Sequence, residues 1–124
     1  MLSLPSSVRV FVAREPADMR KSFDGLSALV IDVVEEDPQS GHLFAFFNKR
    51  RDRVKLLLWD RSGYWLFYKR IELGQFPVFD RVSDKTGGFE IEAPDLMLIL
   101  EGIDLRGAQR RPSHDDMKLG VNYG

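Results

Sequence analysis

Along Val8 to Ala13, VRVFVA, the residues Val8, Val10 and Val12 alternate with Arg9 and Phe11. A period of two is that of a strand with one buried face. Pro16 and Asp18 then supply first-turn and capping residues for a helix. Within it Met19, Phe23, Leu26, Val30 and Val33 recur at spacings of three and four, with Leu29 beside them. One face is thus apolar, while Lys21, Asp24, Asp32 and Glu35 fall mostly elsewhere. In EEDPQSG, Pro38 and Gly41 end the pattern. The expectation is one long helix.

Three strands follow in quick succession, Leu43 to Phe47, Arg53 to Asp60 and Tyr64 to Ile71. The joins KRRD and RSG are short, so the three should form an antiparallel meander. With even-length loops one face collects Leu43, Ala45, Phe47, Val54, Leu56, Leu58, Trp65, Phe67 and Ile71, an apolar set expected under the first helix. The other collects Phe44, Phe46, Lys55, Leu57, Trp59, Tyr64, Leu66, Tyr68 and Arg70. Odd-length loops would exchange the two sets.

Beyond Ile71 the stretch LGQFPVFDRVSDKTGG reads as irregular, FEIE as a short strand, and APDLMLILEGI as a helix with Pro94 in its first turn and Gly102 at its end. The fold class expected is α+β: an antiparallel sheet, made of the N-terminal strand and the meander, packed against one long helix, with a short C-terminal helix. Residues 1–105 would form a single domain and 106–124 a flexible tail.

Composition narrows the class. The chain has 124 residues, enough for one core, and its 44% apolar and 30% charged content is that of a soluble globular protein. No window has the apolar length of a membrane span, and the N-terminus lacks the pattern of a secretory signal, so a cytoplasmic location without membrane contact is expected. The absence of cysteine excludes disulfides and thiolate-ligated metal.

The net charge is −1, but it is spread unevenly. Residues 1–47 hold four basic and seven acidic side chains, 48–70 hold eight and two, and 71–124 hold six and ten. A middle segment of +6 therefore lies between flanks of −3 and −4. Screening limits each charge to about 8 Å at physiological salt, so the local patch outweighs the total.

Catalytic chemistry finds little support. Hydrolytic or metal sites need a nucleophile beside a base, or clustered carboxylates and imidazoles. His42 opens a strand and reads as structural, and His114 sits in SHDD, where adjacent residues seldom converge on one ion. GLSALV and TGG lack the setting of a phosphate-binding loop. Gly25 in FDGL is unusual inside a helix and suggests close packing of the helix backbone on the sheet, or an Asp24 bonded to Arg20 or Lys21. The expectation is a protein without enzymatic activity, cofactor or metal.

The segment NKRRDRVKLLLWD puts five basic residues into the seven positions Lys49 to Lys55. One reading has Lys49, Arg50, Arg51, Arg53 and Lys55, joined by Lys69 and Arg70, contacting phosphates, with Trp59, Tyr64 and Tyr68 as stacking or interface surfaces. A plainer reading is a soluble hairpin tip whose charges discourage edge-to-edge aggregation. A third has the aromatic second face covered by the C-terminal helix or another subunit.

The stretches DMRKSFDGLSALV, GHLFAFFNKRRDRVKLLLWDRSGYWLFYKRIELGQF and LILEGIDLR closely resemble, in that order, the TnpB accessory family, the second open reading frame of insertion sequences of family sixty-six. The likeness runs from about Leu2 to Arg106. It implies a protein encoded beside the larger transposase of a bacterial mobile element and needed for transposition, with no defined biochemical activity. Members of that family tend to carry a Gly in the first hairpin tip, where this chain reads Lys49-Arg50-Arg51-Asp52, and a Trp before the Pro, where it has Phe76-Pro77. Val78 to Gly88 and the residues from Gly107 match poorly. A tip without Gly favours a four-residue turn over a type I′ turn. The partners expected are element DNA and the transposase of the same element, with self-association a further option; the alternative is an interaction module that bridges or regulates the transposase without touching DNA.

Overall fold

A computed structural model describes residues 4–77 and 87–103. Its strands are β1 (Val10–Ala13), β2 (Leu43–Phe47), β3 (Arg53–Asp60), β4 (Gly63–Arg70) and β5 (Gly88–Ile91). Its helices are α1 (Phe23–Leu29), extended by a wider π-type segment Val30–Val34, and α2 (Ala93–Leu100). The strands form one sheet in the order β4-β3-β2-β1-β5.

The class is α+β, but the sheet is mixed rather than antiparallel. β1 runs parallel to β2, with Val10 beside Leu43 and Val12 beside Ala45, while β1–β5, β2–β3 and β3–β4 are antiparallel. The reason is the α1 crossover. A helix between two strands returns the chain to the end from which it left, and only parallel pairing then fits. Both strands are buried on two faces, so Phe11 is as much a core residue as Val10 and Val12. LFAFF in β2 is buried at every position, which is the apolar run of a strand covered on both sides.

The expected long helix is shorter and starts later. Residues 16–22 are not helical because their polar groups are engaged elsewhere. The Asp18 carboxylate accepts the Arg20 amide (2.9 Å), and the Lys55 ammonium takes the carbonyls of Met19 and Lys21. Helix hydrogen bonding begins with the Leu26 amide on the Ser22 carbonyl (2.8 Å). At the other end Glu35, at φ 62°, closes the π-type segment.

The partition of the meander into two faces holds, since Leu43 pairs with Leu58 and Phe47 with Val54. What covers each face is the reverse of the expectation. Leu43, Ala45, Phe47, Val54 and Leu56 pack with Leu96, Ile99 and Leu100 of α2, whereas Phe44, Phe46 and Leu57 pack with Leu26, Val30 and Val34. The molecule is thus a sheet between two helices.

One glycine and a strap complete the frame. A Cβ on Gly87 would overlap the Val33 carbonyl, so the π-type segment and the start of β5 approach as only glycine permits. After β4 the chain turns back along the β2–β3 tip, where the Ile71 amide donates to Asp52 O (2.8 Å) and the Phe76 amide to Arg51 O (2.7 Å). Phe76 is fully buried with its ring edge-on to Phe47, so the strap is anchored in the core. Residues 106–124, with His114, lie outside the described residues, as does the irregular stretch over 78–86.

Candidate nucleic-acid interface

Asn48 builds the tip of the β2–β3 hairpin. Its side-chain oxygen accepts the amides of Asp52 (3.1 Å) and Arg53 (3.0 Å), and its amide nitrogen donates to the Asp52 carboxylate (2.6 Å). That bond holds the Asp52 carboxyl below its usual range. The Arg51 amide closes a turn on Asn48 O (3.0 Å), which agrees with the four-residue turn expected. Arg51 itself adopts φ 57°, the left-handed region where glycine carries no Cβ penalty. Lys49, Arg50 and Arg51 are exposed at this tip.

The basic residues singled out in the sequence separate in space. The Arg53 guanidinium donates to the Tyr68 hydroxyl (3.2 Å). Lys55 points inward: it is 7% exposed, its ammonium bonded to Met19 O (2.8 Å) and Lys21 O (2.7 Å). Lys69 projects from the opposite face and donates to Leu100 O (2.8 Å), satisfying a carbonyl at the end of α2. Arg70 pairs with Glu72 at 2.7 Å, and the carboxylate raises its pKa.

Trp59 and Tyr64 sit opposite one another, rings edge-on at 5.0 Å. Tyr68 is 51% exposed with the Lys55 ammonium 4.8 Å from its ring centre. Trp65, placed by its alternation on the covered face, is 56% exposed and donates its indole N–H to Asp60 (3.2 Å). It lies on β4, the outermost strand.

Two cations enter the neighbourhood from elsewhere in the chain. The Ala17 amide donates to Phe47 O (2.9 Å), and Lys55 holds the next residues, so the loop 17–22 is fastened beside the tip. Met19, Asn48, Lys49, Arg50, Asp52 and Arg53 line one open depression of about 330 Å³. Arg20, next in sequence to Met19, has its side chain 92% exposed and paired to Asp18 at 2.8 Å. Its guanidinium and amide hold the Asp18 carboxyl at about 2. Lys21 lays its stem over Gly25, which accounts for that glycine better than packing on the sheet does. Reading the loop as helix hid this arrangement, and the one available signal was the Met19-Arg20-Lys21 run itself.

His42 accepts the Arg9 amide on Nδ1 (3.0 Å). Among the described residues no three His, Asp or Glu side chains gather as metal ligands, and no helix is long and apolar enough to cross a membrane.

Two proteins of Sinorhizobium fredii, uncharacterized protein y4jC and uncharacterized protein y4hO, are each 35% identical. The first aligns over 90% of this chain and 93% of its own length, the second over 88% and 92%. No solved structure matches. The family model described as IS66 Orf2 like protein matches residues 8–110, spanning both helices, the whole sheet and the basic tip. The chain therefore belongs to the IS66 Orf2-like family, the accessory proteins of insertion sequences.

Proposed function

We propose that the protein is a non-enzymatic accessory factor of transposition that binds element DNA through phosphate contacts from two adjoining segments. Lys49, Arg50, Arg51 and Arg53 come from the hairpin tip, and Arg20 and Lys21 from the loop fastened beside it. The observation that carries this reading is the open depression lined by Lys49, Arg50 and Arg53 together with Met19, whose carbonyl the Lys55 ammonium holds and which Arg20 and Lys21 follow in sequence. In this assignment Lys55 and Lys69 hold the scaffold, and Arg70 is a peripheral contributor. Base-edge reading is not part of this assignment, and phosphate contacts are of the kind that position rather than specify.

A titration of element-end duplex across a series of salt concentrations tests it. Affinity should fall by roughly 0.9 log units per log unit of salt for each phosphate neutralised. An Arg50/Arg51/Arg53 triple alanine variant and an Arg20/Lys21 double alanine variant should each flatten that slope. If both, still folded, bind like the parent, the reading is wrong.

The exposed aromatic strand β4 favours a second reading, in which the protein bridges transposase subunits without touching DNA. Copurification with the transposase after nuclease treatment, together with no shift of DNA by the protein alone, would select it.

A further inference from the structure

We infer that Tyr68 is a stacking platform for an unpaired base, so that the DNA this protein holds is single-stranded where it passes β4. The inference rests on the DNA reading above and adds to it the form of the strand. Four residues make one corner of the sheet, Arg53 opposite Arg70 and Lys55 opposite Tyr68. Opposite residues and residues two apart share a face, so all four lie on one side. It is the side of α1, because Lys55 also stands opposite Phe46, which packs with Leu26 and Val30.

The Tyr68 ring is held at two points. The Lys55 ammonium lies over one face, 4.8 Å from the ring centre, and is itself fixed by the Met19 and Lys21 carbonyls. The Arg53 guanidinium donates to the hydroxyl at 3.2 Å. Even so, Tyr68 remains 51% exposed. A base that lands on it therefore meets a ring already ordered, and the side-chain freedom that binding ordinarily removes is already gone.

The ammonium also selects the form of DNA. A side chain wedged between base steps of a duplex needs both of its faces, and here one is taken. A base that stacks on the other face must first be free of its neighbours, which in a duplex lie against it. Arg53 joins this platform to the phosphate contacts, since the same side chain lines the depression with Lys49 and Arg50. Cations that track a backbone beside an aromatic that takes its bases are the arrangement of single-strand binders. The other aromatic residues are engaged differently. Trp59 and Tyr64 meet edge-on at 5.0 Å, with Tyr64 packed against the α1 cluster, and Trp65 stacks with Phe67 on the opposite side of the sheet.

The test separates bases from phosphates. An oligothymidylate and an abasic oligonucleotide of the same length carry the same charge, and only the first can stack. At one salt concentration the native full chain should hold the oligothymidylate about tenfold tighter. Tyr68→Leu keeps an apolar cover over Lys55 without an aromatic face, and should bring the two strands to equal affinity. Tyr68→Trp keeps the face and should keep the preference. Equal binding of the two strands by the parent overturns the inference, as does a Leu variant that retains the preference or a Trp variant that loses it; the phosphate contacts of the proposed function survive each of these. Binding of element-end duplex with neither single strand held also overturns this inference alone. If none of the three is bound, the DNA reading falls with it.

Discussion

The ammonium of Lys55 lies 2.7 Å from the carbonyl oxygen of Lys21, a buried cation on the backbone that carries an exposed one. A second bond to Met19 O at 2.8 Å fixes the loop in a non-helical course. Lys55→Met keeps the stem but strands two carbonyls, and hydrogen bonds to charged groups contribute about 1.5–3 kcal/mol. The expected result is a loss of about 2–3 kcal/mol in urea unfolding. Amide exchange should accelerate over residues 17–22 while the β2–β3 ladder stays protected.

Asn48 closes the tip with three side-chain hydrogen bonds. Asn48→Ala leaves the Asp52 and Arg53 amides without that acceptor and should cost about 1–2 kcal/mol by chemical denaturation. Asn48→Asp retains the acceptor oxygen but sets a second carboxylate against Asp52, so it should recover only part of that loss.

At Arg51 the backbone is left-handed, and for a side chain with a Cβ that conformation costs roughly 1–2 kcal/mol. Arg51→Gly removes the penalty while adding freedom to the unfolded chain. Thermal unfolding should therefore show stability unchanged or slightly raised. A clear loss of stability would mean that contacts of the Arg51 side chain outweigh the backbone strain.

Gly87 meets the Val33 carbonyl where any larger residue would place its Cβ. Both partners are constrained, Val33 by the π-type segment and Gly87 by its carbonyl, which accepts the Arg14 amide at 3.0 Å. Gly87→Ala should cost at least about 2–3 kcal/mol, at the upper end of overpacking effects, and a thermal melt would register it.

The Asp18 carboxyl, at about 2 against an ordinary 3.8, is held down by the Arg20 guanidinium and amide. A depressed carboxylate contributes stability that is fully present above its unfolded value and is lost as pH falls through the folded one. The loop 17–22 should therefore keep its conformation down to about pH 4 and loosen between there and pH 2. Side-chain carboxyl shifts in a pH titration would show it, and Arg20→Gln should move the Asp18 midpoint back toward its ordinary value.

Much of this fold was legible from hydrophobic spacing. The meander, its two faces, the short strand after residue 87 and the helix opening with Pro94 all follow from period, breakers and turn length. The parallel β1–β2 pair was also in reach, because LFAFF is apolar at every position and a helix precedes it. The helix boundary was not. Met19 and Lys21 are helix-compatible residues at helix-compatible spacings, and only the distant ammonium of Lys55 takes their carbonyls away.

The same distinction divides the basic residues. Sequence determined that a cluster of cations sits on a hairpin tip, since charge and turn signals are local properties of adjacent residues. Which of those cations face solvent was decided by tertiary structure alone. Lys55 and Lys69 lie on opposite faces of the sheet, one bonded to the loop before α1 and the other to the end of α2, because each was the cation within reach of carbonyls left open there. Met19 reaches the depression at the tip for the complementary reason: the chain path on which its carbonyl meets Lys55 carries it there, with Arg20 and Lys21 next in sequence.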